Sequence, residues 1–575
     1  MTPPITLSHP GAVPIALCLS RVSGIRQLIE QSTGWDSSSN CISPGILAET
    51  LIAALLCGCR PLYKVESFWK RNKFIELFYQ DDGICCAQLN DDAYARMLDT
   101  LSSLDCRRLF ENVCLNMLQY HGLNIVLTHS DTTSVSVEGA YLSGEVSGEV
   151  SSEGELPDQS PIEEVFCIHH GHSKDHRPDL KQLKIGLSVQ ENGLPISGEL
   201  LSGNTSDKNW NPQMVEELSA MLFENGYKDV IFLADSALIS TKSLQNFAHR
   251  DIQFVSRFPE TFKLAEELKM QAWEENNWKD IGTLAEQKKN ASHYKTWEAQ
   301  REIEGEMFGF VVVHSSNLEE RKEKTLQKAV ERSRKGLQKQ SEELFKKNFA
   351  CEADARKDGL TLQEKTEKEG FHSELETKAI ETVKHGRRGR PKKGEEPKKE
   401  VTWRVEVKIG QMKPEVYEEK KKQESTFVLI HRINEEKTSE EIVRSYKNQD
   451  KVEQGFKFIK QPQYLGPVYT KITSRVEALG YIFLMVLLVA KYLEYRVRIG
   501  MRRCQGVLKI GGQKVLNPSA KTILEILSEM MVYRMNGEWK LPDNIQTKVR
   551  DVIHWAGFDE EVYVRGYTMD RFHIG

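Results

Sequence analysis

The run SYKNQDKVEQGFKFIKQ, Ser445 to Gln461, decides how the rest of the chain is read. It follows a strand-like stretch, TFVLIHRI (Thr426 to Ile433), and a Thr438-Ser439-Glu440-Glu441 start of the kind that helix N-termini favour. Tyr446, Gln449, Glu453 and Lys460 recur at offsets 0, 3, 7 and 14. At about 3.6 residues per turn, that spacing predicts one helix with all four side chains along a single edge. Val452, Phe456 and Ile459 fall on a neighbouring stripe that can face a core. An aromatic hydroxyl, an amide, a carboxylate and an ammonium on one edge suit a metal ion and a phosphate backbone.

Working upstream, Asn124 to Thr128 reads as a short apolar strand with Asp131 just beyond its end. Leu183 to Val189 and Pro195 to Leu201 read as strands joined by the turn Glu191-Asn192-Gly193. A helix over Asn211 to Glu224 follows, then a buried strand, Val230 to Ala234, with Asp235 at its C-terminal end. A helix over Thr241 to His249 and a strand over Gln253 to Arg257 complete the run. This order fits an RNase H-like mixed sheet, three strands antiparallel and the later ones parallel. An isolated aspartate after a strand is ordinarily a cap or turn residue. Two such aspartates and a helix carboxylate are also what phosphodiester chemistry needs from separate elements, because charge builds on both the attacking and the leaving oxygen.

The segments together resemble one large group of bacterial insertion-sequence transposases with a DDE catalytic triad, whose signature is Tyr-x2-Arg-x3-Glu-x6-Lys. Tyr446, Glu453 and Lys460 match it, and Gln449 stands where the family has arginine. The stretches around Asp131 (NIVLTHSDTTSVSVEGAY) and Asp235 (DVIFLADSALIS) also look like this group, as do Gly171 to Val189 and Ser202 to Trp210. The resemblance implies that Asp131, Asp235 and Glu453 are the catalytic carboxylates and hold two Mg2+ ions, with Mn2+ able to substitute. It implies that Lys460 and Tyr446 hold phosphates. An amide at Gln449 can hydrogen-bond a phosphate but cannot pair its charge. Lys174 and Arg177 become candidate DNA contacts in a loop near the site. The implied activity is cut-and-paste transposition by hydrolysis at the element's ends and strand transfer. The implied partners are double-stranded DNA, as terminal inverted repeats and as target, and a second copy of the chain in the DNA complex.

Bulk properties neither announce nor exclude this. The chain has 575 residues, 28% of them charged, and a formal net charge of −5, so any basic surface must be local. The eleven cysteines lack the spacing of a disulfide framework. Cys57, Cys59, Cys85 and Cys86 read as small core residues rather than zinc ligands, which points to a reducing, cytoplasmic compartment, nucleoid-associated in a bacterium or archaeon. No basic-then-apolar signal pattern opens the chain. The apolar run Tyr481 to Ala490 is short of the ~20 residues a membrane span needs and reads as a buried helix inside a longer one, Lys471 to Arg498. Lys491, Arg496 and Arg498 are expected to emerge at its C-terminal end, where positive charge suits the helix dipole.

Four domains, in five segments, are expected. Residues 1–122 form an all-α N-terminal domain for end recognition, with a helix starting at Ser43-Pro44 and phosphate-contact candidates at Arg60-Pro61 and Lys70 to Lys73. Residues 123–260 and 426–510 are the two halves of the RNase H-like core, and residues 511–575 are C-terminal helices, Ala520 to Met535 and Gln546 to Ala556. Residues 261–425 are a mixed insertion with strands at its edges and a charged two-helix arm in its middle. Leu326, Val330, Leu337 and Leu344 stripe its first helix, with Phe371, Leu375, Ala379 and Val383 on the returning one. The fold class is therefore α/β. Lys384 to Lys393, KHGRRGRPKK, resembles an AT-hook in which Arg388 and Arg390 enter an A·T-rich minor groove. A flexible basic linker making phosphate contacts is the other reading of it, and both imply DNA. His172 and His176 have zinc-like spacing, but Gly171 and Pro178 argue for a loop. Ser143 to Pro161 reads as a flexible acidic loop. Two other functions fit parts of the sequence: a DNA-binding regulator of transposition that does not cut, and a stand-alone RNase H-like nuclease.

Overall fold

The computed structural model describes residues 5–36, 42–59, 62–72, 75–80, 82–137, 166–171, 177–284, 291–369, 371, 375–385, 399–448, 450–460 and 472–567. Gln449, Lys174, Arg388, Arg390, Arg60-Pro61, His172, His176 and the Ser143 to Pro161 loop lie outside them. The chain divides into two units. The first holds 1–256, 432–435 and 445–575, and the second holds 257–431 and 436–444.

In the first unit the strands run side by side in the order Pro195–Ser202, Lys181–Gln190, Leu127–Val137, Ile231–Ala234, Gln253–Arg257. The first three are antiparallel neighbours and the last two run parallel to Leu127–Val137. Gly193, at φ +85°, closes the hairpin between the outer two strands, a backbone angle that costs glycine little. One face of the sheet is covered by the helix Asp207–Glu224: Trp210 presses on Gly186, and Met214 Sδ accepts from Ser130 and Ser188. The other face is covered by the long helix Thr473–Arg503 and by Cys106–Tyr120, whose Leu484 and Phe110 both meet Gly198. The long helix is apolar and long enough to cross a membrane, but 89% of its most apolar window is buried inside the unit.

Three expectations change here. Lys491 and Arg496 do not emerge into solvent. Both are buried, and Arg496 lies between the rings of Tyr492 and Phe558. Half-buried Arg498 and buried Lys491 share the buried carboxylate of Glu494, because the helix continues to Arg503 and the C-terminal segments pack over these positions. The N-terminal region is not purely helical: Thr6–Ser8 pairs with Val532–Met535, which pairs in turn with Glu538–Lys540. For the same reason the helix expected over Ala520 to Met535 stops at Leu527. β-branched Val532 and aromatic Tyr533 supply the strand. The Ser43 cap is as expected, accepting from Ile46 N at 3.2 Å with Pro44 in the first turn.

In the second unit Thr426–Arg432, Glu306–Ser315, His293–Ile303 and Lys279–Thr283 are neighbours in that order, each antiparallel to the next. Beyond Glu306–Ser315 lies a helix of 31 residues, Ser316–Lys346, then a second helix, Glu352–Glu369. The returning stripe is not a helix. Leu375 and Ala379 belong to the strand Leu375–His385, paired along its length with Lys399–Ile409. A step of four residues keeps one face in a helix and also in a strand, so that spacing alone does not decide between them. Both helices pack on this strand pair around Phe349, Ala355 and Val405.

Candidate active site

Asp131 does not follow its strand. It lies within Leu127–Val137, because the strand continues antiparallel to Lys181–Gln190 well past the point where its parallel pairing is recorded. Parallel partners run Leu127 with Ile231, Thr128 with Phe232 and His129 with Leu233. Asp131 and Asp235 each lie two residues beyond the last of these pairs, Asp235 just after Ile231–Ala234. The two carboxylates thus come from adjacent strands at one end of the parallel pair. Asp131 is half-buried in a strand otherwise almost wholly buried, and Thr132 N donates to its Oδ1 at 2.7 Å.

Asp235 combines two roles. Its Oδ1 accepts from Ala237 N at 3.0 Å, capping the short turn Ser236–Leu238. The same oxygen accepts from Asn211 Nδ2 at 3.0 Å, and Ser256 Oγ donates to its carbonyl. The cap reading of this aspartate is therefore correct as geometry, and it leaves the carboxylate held from two sides. Asn211 Oδ1 is buried without a hydrogen-bond donor.

The helix carrying Glu453 reaches Asp131 through apolar packing. Leu187 is the antiparallel partner of Asp131, so the two side chains share a face of the sheet. A Cβ on Gly455 would lie 3.0 Å from Leu187 Cδ2, so Asp450–Ile459 lies on that face. Val452, Phe456 and Ile459 are buried beneath it, as their spacing predicts. Glu453 is on the opposite, solvent side, 62% exposed, with Lys457 Nζ at 3.3 Å.

The single helix expected from Tyr446 to Lys460 is two helices, Ser439–Lys447 and Asp450–Ile459. Asn448 N bonds Ser445 O and Lys451 N bonds Asn448 O, three-residue steps that tighten the chain out of the α-helix. Asparagine, whose side chain competes for nearby backbone groups, favours such a break. Tyr446 therefore belongs to the preceding helix, half-buried. Lys460 stays two turns from Glu453, its N bonded to Phe456 O at 2.9 Å. Arg177 is exposed and forked onto Asp179, holding that carboxyl below its ordinary pKa.

Sequence reasoning missed a layer of supporting groups. Buried Lys184 Nζ donates to Asp207 Oδ1 at 3.0 Å, and Thr132 Oγ1 donates to the same oxygen at 2.9 Å. Asp207 opens the helix Asp207–Glu224, four residues earlier than expected, where an acid suits the dipole. His129 precedes Asp131 by two positions on the same face. Burial, and to a lesser extent the charge of Lys451, push its pKa down to about 4. Its Nδ1 has no partner. A lysine and a histidine in strands that read as interior were the signals available.

Compared with known proteins, residues 13–115 match a family model described as a domain of unknown function, DUF4277. That match covers the N-terminal helices and stops before the Asp131 strand. No curated protein matches the chain. Among solved structures the chain is similar to the piggyBac transposase in its synaptic complex with hairpin DNA, seen by cryo-EM. The identity is 8% and the TM-score 0.37, over 89% of this chain and 78% of that one. That score is below the level of a shared fold.

Proposed function

We propose that the chain is a metal-dependent DNA transposase of the DDE type with an RNase H-like catalytic core, and that Asp131, Asp235 and Glu453 are its catalytic carboxylates. What supports this reading is that the strand holding Asp131 pairs in parallel with the strand that ends just before Asp235, while the helix that carries Glu453 on its solvent side packs on Leu187, the partner of Asp131. The donor set is all oxygen, which suits a hard cation such as Mg2+ or Mn2+. The buried, donor-less Asn211 Oδ1 next to Asp235 is the local feature that fits a cation there. Asp131 and Asp235 would hold it, with Glu453 completing the set. When bound, a pair of such ions stabilises charge on the attacking and leaving oxygens.

The chain's own residues then have separate tasks. Asn211 and Ala237 N orient Asp235. Glu453, if it turned from Lys457 toward the ions, would free that ammonium for a phosphate of the bound strand, and Lys460 lies two turns along the same helix edge as Glu453. Water attacks the phosphorus at the element end and the P–O3′ bond breaks, leaving a 3′-hydroxyl and a 5′-phosphate. That hydroxyl attacks the opposite strand, closing a hairpin and expelling the flanking DNA's 3′-hydroxyl; water then reopens the hairpin, and the regenerated 3′-hydroxyl attacks target DNA and expels a target 3′-hydroxyl. Two copies of the chain, each on one end, complete the reading.

The test is cleavage of a labelled duplex carrying the candidate element end, in Mg2+, by the native protein and by Glu453→Gln. Nicking at the end that this substitution abolishes while binding persists supports the proposal. Binding without cleavage by the native protein would make the chain a DNA-binding regulator. Unchanged cleavage by the variant would remove Glu453 from the site.

A further inference from the structure

Between Glu494 and Glu525 the chain carries seven lysines and arginines and no acid, although its net charge is −5. This stretch leaves the long helix at Arg503 and forms a hairpin, Leu508–Ile510 with Gln513–Val515, closed by Gly511 and Gly512. Both glycines have positive φ, +54° and +81°, the backbone of a tight two-residue turn. Leu508 pairs with Val515 and Ile510 with Gln513, so those side chains share one face, and Leu508 is buried. Lys509 is directly opposite Lys514, on the other face, and both are exposed. Like charges directly opposite destabilise a strand pair. Exposed Arg502 and Arg503 lie at the end of the helix that leads into it.

The mounting of this hairpin is rigid. Gly500 and Gly506 both lie against Trp555, Gly500 on its backbone and Gly506 on its ring, so a side chain at either would lift the base. Beyond the far strand Arg498 Nε donates to Pro518 O at 3.0 Å, and Ala520 N donates to Glu494 Oε2 at 2.8 Å. Buried Lys491 and Glu494 with half-buried Arg498 thus fasten the hairpin's exit to the long helix.

We infer that Leu508–Val515 is a fixed basic prong that takes the phosphate backbone of duplex DNA, Lys509 and Lys514 each neutralising one phosphate. A polyanion relieves the repulsion between two opposed lysines, and a rigid mount spares the ordering cost that a flexible basic tail incurs. This inference rests on the DNA-cutting reading above and names a surface apart from its carboxylates.

The test measures binding of the full chain to a labelled duplex across a salt series, for the native protein, K509A/K514A and K509R/K514R. The alanine variant should bind at least about tenfold more weakly at low salt, with a slope of log affinity against log salt shallower by about 1.8, two phosphates at about 0.9 each. The arginine variant should retain both affinity and slope. The alanine variant's unfolding temperature should stay level or rise, which separates lost contact from lost fold. Equal affinity and slope in the alanine variant would overturn the prong and leave the carboxylate reading standing. A native protein that binds no duplex would overturn both.

Discussion

Two strands of eleven residues, Leu127–Val137 and Leu375–His385, are both polar in sequence and opposite in environment. LTHSDTTSVSV lies inside a sheet covered on both faces, and of its residues only Asp131 and Ser136 are less than fully buried. LETKAIETVKH has one face on a small core and the other in solvent. On that open face, Glu376 stands opposite Lys408 and Lys378 opposite Glu406. Polar groups in the first strand must find partners or remain costly: Ser130 pairs with Ser188 and Thr132 with Asp207, while Thr128 Oγ1 and His129 Nδ1 have none. The comparison teaches that polarity marks a site when the surrounding fold takes it out of water, and marks solvation when it does not.

The contrast is sharpest at Asp131. If Asp131 holds the proposed cation, Asp131→Asn should lower cleavage on the order of a thousandfold, because the amide cannot supply the negative charge that ion needs. Its unfolding midpoint in urea should move little, since Thr132 N can still donate to the amide oxygen. A variant that cuts at the native rate would place the chemistry elsewhere.

Removing the ammonium on the other face of the same sheet should cost stability. Lys184→Met takes the ammonium from half-buried Asp207 and from Thr205 O and should destabilise the first unit by about 3 kcal/mol, as breaking buried pairs does. Denaturant unfolding measures this, and a loss near zero would mean the pair is solvated like its counterparts on the open face.

His129 gives the strand a pH signature. Its folded pKa of about 4 lies below the ordinary 6.5, so the unfolded chain binds the extra proton between those values. The neutral, buried form therefore contributes stability that is complete above about pH 6.5 and is lost as pH falls toward 4, at up to about 1.4 kcal/mol per unit. Unfolding free energies at pH 7 and pH 5 should differ accordingly, and His129→Leu should remove that part of the slope.

The smallest effect belongs to the solvated strand. Glu376→Ala should change stability by less than about 0.5 kcal/mol, in keeping with exposed charge pairs. A larger loss would show that the open face is covered in the working protein.

Much of this was legible locally. The Asp131–Asp235 sheet, its hairpin at Gly193 and the core stripe Val452-Phe456-Ile459 follow from period-two and period-3.6 patterns within short windows. The break after Lys447 was less visible, because a spacing of seven fits an unbroken helix as well as two helices in line. The strand at Leu375 was misread because a step of four suits both geometries. Lys491 and Arg496 looked solvated because their burial depends on segments far along the chain.

By itself, the sequence determined which residues alternate, which turn and which carry carboxylate or ammonium groups, since backbone preference and side-chain period act over a few neighbours. Only the tertiary structure decided that Leu187 couples Asp131 to the Glu453 helix, that Asp207 gathers Thr132 and Lys184, and that Trp555 holds the base of a basic hairpin. Those relations depend on burial and on register between distant segments, and a local pattern holds no information about which face another segment will cover.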